Sequence, residues 1–197
     1  HREVPFALRN VAYVREKELI GRRGGELVEH GDTIFLDAST TALHVGQSII
    51  GKHNLIVISN ALAVSYRLAE APDIKMITIG GTLRRTSLTN VGRAAEDSIV
   101  RYYADKTFFS CDGVDRDHGI TDANEKEAEV RKAMLSQSKQ RILVADHTKF
   151  DRTSFVLIDN FENVDTVITD RPVSEEWMRF FQNKNIEYIS CVEEAGE

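Results

Sequence analysis

Short apolar runs alternate along this chain with longer amphipathic segments. Residues 33–36, 55–58, 74–79, 106–109 and 141–145 are compact runs of strand type, followed by 155–158, 166–168 and 186–189. Between them apolar residues recur three and four apart, as in helices. Segment 11–28 carries Ile20, Leu27 and Val28 on one face, and 42–50 is a second amphipathic stretch. A helix passes through Leu62, Tyr66 and Ala69, and another spans 92–103. Segment 125–138 has Val130, Ala133 and Met134 as its stripe, with Glu127 and Arg131 spaced to pair along the helix. Segment 174–183 opens with Ser174 as N-cap and Glu175 and Glu176 in its first turn. Gly24 and Gly25 each cost about 1 kcal/mol relative to Ala inside a helix, so close packing is expected there. Residues 83–90 read as polar and irregular, and the residues between 110 and 119 as a loop. Strands alternating with helices predict βαβ units with right-handed crossovers. The expected fold is α/β: three layers, αβα, around a mainly parallel, Rossmann-like sheet.

The chain has 197 residues, enough for one large domain or two small ones. Its 42% hydrophobic content allows an ordinary core, and its net charge of −6 argues against a general nucleic-acid surface. No apolar run approaches a membrane span and no signal peptide is visible. Cys111 and Cys191 have neither metal-site spacing nor the look of a disulfide framework, which suits a reducing cytoplasm. The first residue is His1, so a fragment of a longer protein is expected. Residues 1–10, with Pro5 and mixed polarity, read as a linker, and 11–197 as the folded domain.

Candidate chemistry lies where the strand runs end. They end in Asp37, in Ser59-Asn60, in Gly80-Gly81, in Ser110 to Asp112, and in Asp146. Each alone is what a turn requires. In an open parallel sheet, however, the carboxyl ends of the strands share one edge, and ligands bind in the crevice there. Five polar ends on one edge predict a polar cup. Residues 31–41 run from a strand through Asp37 into Ser39-Thr40-Thr41 at a helix start, where free N–H groups and hydroxyls suit a phosphate or carboxylate. Gly80-Gly81 permits close backbone approach to a ligand, with Arg84 reaching an anion, and Lys149 adds a point charge. Asp37, Asn60, Asp112 and Asp146 are expected to read hydroxyls or orient the basic groups. Walker, dinucleotide-binding and H-E-x-x-H motifs are absent, so no cofactor, metal or catalytic set is expected. Cys111 beside Asp112 reads as a packed thiol rather than a nucleophile.

These residues carry a resemblance. Gly31 to Asp37 running into Thr40-Thr41, Ser59-Asn60, Gly80-Gly81-x-x-Arg84, Val91-Gly92, Ala104-Asp105-Lys106, Gly113-Val114-Asp115, Gly119-Ile120-Thr121, Asp146-x-x-Lys149-Phe150 and Ile168-Thr169-Asp170 occur in that order. The sequence resembles the C-terminal sensor domain of the DeoR family of bacterial transcriptional repressors, over nearly its whole length. The resemblance implies a fold similar to ribose-5-phosphate isomerase, glucosamine-6-phosphate deaminase and the CoA transferases. It implies a phosphorylated sugar as effector, altering the repressor's hold on its operator. DNA would be bound only through an N-terminal winged helix-turn-helix outside this chain, and a homo-oligomer is expected from reading two half-sites. The implied ligand set is Asp37, Ser39, Thr40, Thr41, Ser59, Asn60, Gly80, Gly81, Arg84, Asp112, Gly113, Asp146 and Lys149. Ser39 departs from the family's usual glycine, and Ser59 from its common threonine. The alternative is a sugar-phosphate isomerase, because Asp112-Gly113-Val114-Asp115 is similar to that enzyme's D-G-x-D motif. The lysine and glutamate that should follow are replaced by Glu125 and Met134, and Lys126 with Glu127 does not restore both spacings.

Overall fold

The computed structural model describes residues 3–192. Its centre is a seven-stranded sheet in which every neighbouring pair is parallel. In chain order the strands are β1 (Thr33–Leu36), β2 (Leu55–Ser59), β3 (Ile74–Thr78), β6 (Ala104–Phe109), β9 (Ser138–Val144), β11 (Thr166–Thr169) and β12 (Glu187–Ser190). Their spatial order is β12-β11-β9-β6-β1-β2-β3. From β1 the chain winds outward through β2 and β3. It then returns to place β6 on the other side of β1 and winds the opposite way. The switch in direction therefore lies between β1 and β6, where such sheets open a crevice at the strands' carboxyl ends.

Helices α2 (Val14–Glu26), α3 (Thr40–Ser48) and α4 (Leu62–Leu68) belong to one side of the sheet. Helices α5 (Arg93–Ile99), α6 (Glu125–Ser136) and α7 (Glu175–Asn183) belong to the other. Period-two alternation sorts the strand side chains. Ile34, Leu36, Phe108, Ile142 and Val144 pack toward α2 and α3. Phe35 packs toward α5 and α6, and Phe109, Leu143 and Val167 toward Trp177 and Phe181 of α7. Because both faces are covered, the strands read as continuous apolar runs.

Three local features differ from the sequence expectation. The helix expected over 11–28 begins later, as α2, after a kink at Tyr13, whose φ is 52°, and a separate short helix α1 (Phe6–Val11) precedes it. The expected linker over 1–10 thus includes most of α1. The irregular stretch 83–90 contains parts of a hairpin, β4 (Thr82–Arg84) with β5 (Thr89–Val91). The loop after β6 is a second antiparallel unit: β7 (Gly113–Asp115), β8 (Gly119–Asp122) and β10 (Val156–Asp159). Close packing at the α2 glycines is as expected, and Gly21 shares in it. A methyl on Gly25 would sit 2.1 Å from Ser48 Oγ, and one on Gly21 would sit 2.6 Å from the His44 backbone. This contact sets α2 tightly on α3.

Candidate functional site

A cavity of about 270 Å³ opens at the switch point. Its floor comes from the ends of three adjacent strands. Ala38, Ser39, Thr40 and Thr41 follow β1, Ser110, Cys111 and Asp112 follow β6, and Asp146, Thr148 and Lys149 follow β9. Helix α3 begins here because Ser39 caps it. The Ser39 hydroxyl accepts from Ala42 N at 2.9 Å and donates to Asp37 Oδ1 at 2.5 Å. Both capacities are thereby committed, so Ser39 shapes the helix start and is not available to donate to a ligand. Its φ of −77° needs no glycine. The N–H groups and hydroxyls of Thr40 and Thr41 have no acceptor among the described residues, as expected for the first turn of a helix.

Asp37 lies beneath the cavity floor and is fully buried. Oδ1 accepts from Ser39 N at 2.9 Å, and Oδ2 accepts from Ser110 N and Arg131 Nε, each at 2.8 Å. Arg131 also pairs through its Nη1 with Asp122 of β8. One guanidinium thus joins α6 to the ends of β1 and β8, and through Asp37 to the end of β6. Burial opposes its charge, but the carboxylates of Asp122, Asp37 and Glu127 outweigh burial and hold its pKa well above the ordinary value. Arg131 does not form the expected ion pair with Glu127. Glu127 Oε1 instead accepts from Arg84 Nη1 at 2.8 Å, Ser87 Oγ at 2.6 Å and Thr89 Oγ1 at 2.5 Å. Burial raises the Glu127 pKa, and the nearby Arg131 and these donors more than offset that, leaving it below its usual range. Its Oε2 is buried and has no partner among the described residues.

The remaining expected residues divide. Asp112 lines the cavity, 3.7 Å from Arg152, and Asp146 lines it while capping the 3₁₀ turn His147–Lys149 through Thr148 N at 2.9 Å. Lys149 lines it with no side-chain partner among the described residues. Ser59, Asn60, Gly80, Gly81 and Arg84 do not line it. The β4–β5 hairpin ties off that part of the edge. Asn60 Nδ2 donates to the Asn90 carbonyl and Asn90 Nδ2 to the Ile79 carbonyl, both at 2.9 Å, while Ser59 Oγ accepts from Ala61 N. Gly81 packs against the Val91 carbonyl and Ala95. Arg84 is occupied by Glu3 and Glu127. Gly113 faces the Arg152 carbonyl, which a methyl would approach to 2.3 Å, so strand packing accounts for that glycine. The cup therefore draws on three strand ends instead of five.

The expected site set omits every other charged residue of the lining: Glu3, Arg9, Lys17, Asp122, Glu127, Arg131 and Arg152. Lys17 and Arg131 carry a readable signal. Lys17 shares a helix face with Ile20, Gly21 and Gly24, and Arg131 with Ala128 and Leu135, so each is a charge at a core-facing position. The isomerase-like acids fare differently. Asp115 Oδ1 accepts from the N–H groups of Asp117 and His118 and so fastens a turn at the protein surface. Met134 is in the core. Burial drives the Cys111 thiol well above its ordinary pKa, which removes it as a nucleophile.

Fold and cavity together define a doubly wound α/β domain with a ligand-sized recess at its switch point. Residues 12–171 match the family model of the DeoR C terminal sensor domain, and the chain belongs to that family. It is 35% identical over 184 residues to the uncharacterized HTH-type transcriptional regulator YulB of Bacillus subtilis, covering 93% of this chain and 71% of that protein. It is 29% identical over 187 residues to the glycerol-3-phosphate regulon repressor of Escherichia coli, covering 95% and 74%. Such relatives bear the names of regulators, and this chain is a sensor domain of that family. Among solved structures, a D-ribose-5-phosphate isomerase in complex with phospho-erythronic acid aligns with a TM-score of 0.50 at 12% identity, over 68% of this chain and 52% of that one. A translation initiation factor eIF-2B from Pyrococcus horikoshii aligns with a TM-score of 0.54 at 14% identity, over 78% and 62%. The chain spans about half the length of that isomerase, and at these identities the likeness concerns the fold alone.

Proposed function

We propose that this domain binds a small phosphorylated sugar in the cavity, and that occupancy alters the operator affinity of the regulator to which the domain belongs. The observation that carries the reading is one cavity lined by the unpaired first turn of α3 and by the amines of Lys17 and Lys149. A phosphate carries about two negative charges at pH 7, and burying it without partners would cost several kcal/mol. The Thr40 and Thr41 N–H groups and hydroxyls supply donors, and the lysines supply counter-charge. The cavity is at the low end of small-molecule sites, which suits a short polyol phosphate better than a nucleotide. One comparison supports this class of ligand: the repressor named for a glycerol-3-phosphate regulon. In the full regulator, a DNA-binding domain would be joined through the segment ahead of α2, which also lines the cavity. Reading two half-sites would require at least a dimer.

Titration calorimetry with a panel of sugar phosphates tests the reading. A hydrogen bond to a charged group contributes about 1.5–3 kcal/mol. Thr40→Ala and Lys149→Ala should therefore each weaken binding about tenfold or more, with circular dichroism unchanged. If the unphosphorylated sugar binds as tightly as its phosphate, or neither substitution changes affinity, the proposal fails.

A further inference from the structure

The segment ahead of α2 forms a wall of the cavity. Glu3, Val4, Leu8, Arg9, Ala12 and Tyr13 all line it, yet α1 contains no fully buried residue. Phe6 packs half-buried against the core, and the other attachments of this arm are polar. Phe6 N donates to the Thr86 carbonyl at 2.8 Å, and Arg84 holds both oxygens of Glu3, at 3.1 and 2.5 Å. Lys17 Nζ donates to the Arg9 carbonyl at 2.7 Å. Leu8, Val11 and Tyr13 are all at least half exposed. A segment with little buried apolar surface opens locally at low free-energy cost.

Two cations stand on either side of the Tyr13 kink, and both line the cavity. Lys17 is only 5% exposed, and its one side-chain partner among the described residues is the Arg9 carbonyl, not a carboxylate. Of its three donors, the Arg9 carbonyl takes one. A buried ammonium in that state is costly, and burial pulls its pKa down to about 8 against the attraction of Asp146. It remains mostly charged at pH 7. The Arg9 guanidinium uses Nε on the Val4 carbonyl at 3.0 Å, and its two terminal nitrogens have no acceptor among the described residues. Unmet donors on the buried Lys17 and the half-buried Arg9, beside the open turn of α3, call for an anion.

We propose that Lys17 and Arg9 grip the anionic ligand from the arm side of the cavity, so that the ligand bridges residues 3–13 to the start of α3 and occupancy is expressed as fixing of that arm. The inference rests on the reading of the cavity as an anion site. The ligand replaces the missing counter-charge of Lys17. In doing so it adds to a loosely held segment the attachments that its own side chains lack. Whatever precedes residue 3 in a longer protein would then be steadied or released with the arm.

Hydrogen–deuterium exchange on this chain separates the outcomes. The probes are inorganic phosphate and, separately, ribose 5-phosphate, compared with potassium chloride at matched ionic strength. At ten times the dissociation constant, exchange through openings that release the ligand should slow about tenfold, both at amides 40–43 and at amides 6–13. Lys17→Met keeps the apolar stem, and it should abolish slowing at 6–13 while 40–43 still respond. Protection of amides 34–36 in the sheet verifies its fold. Arg9→Gln, on the exposed arm, provides the same comparison should Lys17→Met unfold. If neither stretch slows, the anion-site reading itself falls. If 40–43 slow and 6–13 do not, or if the substituted chains retain arm protection, that reading stands and the bridging proposal is overturned.

Discussion

Replacing Arg131 by Met should destabilise the domain more than any substitution among the cavity-lining residues. The side chain is 7% exposed and serves two buried carboxylates, Asp37 and Asp122. Met fills much of the volume, so packing loss is small. What remains is electrostatic: Asp37 Oδ2 keeps only the Ser110 N–H, and Asp122 keeps only the N–H of Ala123. Removing one partner of a buried ion pair costs about 3–5 kcal/mol. With two carboxylates left behind, the upper part of that range is expected, about 4–5 kcal/mol. For a chain of this size each kcal/mol lowers Tm by about 2–4 °C, giving a drop of about 8–20 °C. Calorimetry and urea unfolding measure it. The pH dependence identifies the cause. Burial already holds the Asp122 carboxyl above its ordinary pKa, with Arg131 opposing. Without Arg131 it rises further above the unfolded value. Such a group costs stability while it is ionised and is relieved as it takes up a proton. The deficit should therefore be largest at neutral pH and shrink as pH falls. Asp122→Asn in the same chain should recover part of the loss. A deficit under about 1 kcal/mol, or one that does not change between pH 7 and 4, refutes the argument.

Affinity for a phosphorylated ligand should be level up to about pH 8 and decline above it. The Lys17 amine, facing Asp146, Lys149, Arg9 and Glu16, loses its proton there, while the phosphate stays dianionic. Lys17→Met should flatten the profile in titration calorimetry, and a wild-type profile already flat from pH 7 to 9 contradicts the assignment. Cys111 should resist iodoacetamide at pH 7.5 in the folded chain and react once urea unfolds it, because it is 7% exposed and its thiol is held protonated by burial. Rapid labelling of Cys111 in the native protein, read by mass spectrometry, would show that the strand end is open to solvent.

The strand and helix pattern was legible because both sheet faces are buried. Runs such as Ile34-Phe35-Leu36 and Ile142-Leu143-Val144 have no reason to be continuous in any other setting. What could not be read was which strand ends remain open. Ser59-Asn60 and Gly80-Gly81 are as polar as Asp146, but the hairpin of β4 and β5 closes over them through Asn90, a contact 30 residues from Asn60. A stretch with no clear periodicity concealed that hairpin. The partners of Arg131 were hidden for a related reason. Glu127 has ideal helical spacing, while Asp37 lies 94 residues away and wins because it is desolvated on the same floor. The arm was read as a linker because six residues of α1 are too few to show a face.

The girder role of Arg131 has a consequence for redesign. The floor of the cavity is held by Arg131, which ties the buried Asp37 beneath it to Asp122, while Asp37 also accepts from Ser110 N. Leu8, Tyr13, Asp112, Thr148 and Arg152 line the cavity and take no part in that framework. Substitutions at these five positions can remould the recess while the scaffold stays intact. The same separation makes them the positions to randomise in building a biosensor for a new metabolite, with Arg131 and its two carboxylates left alone.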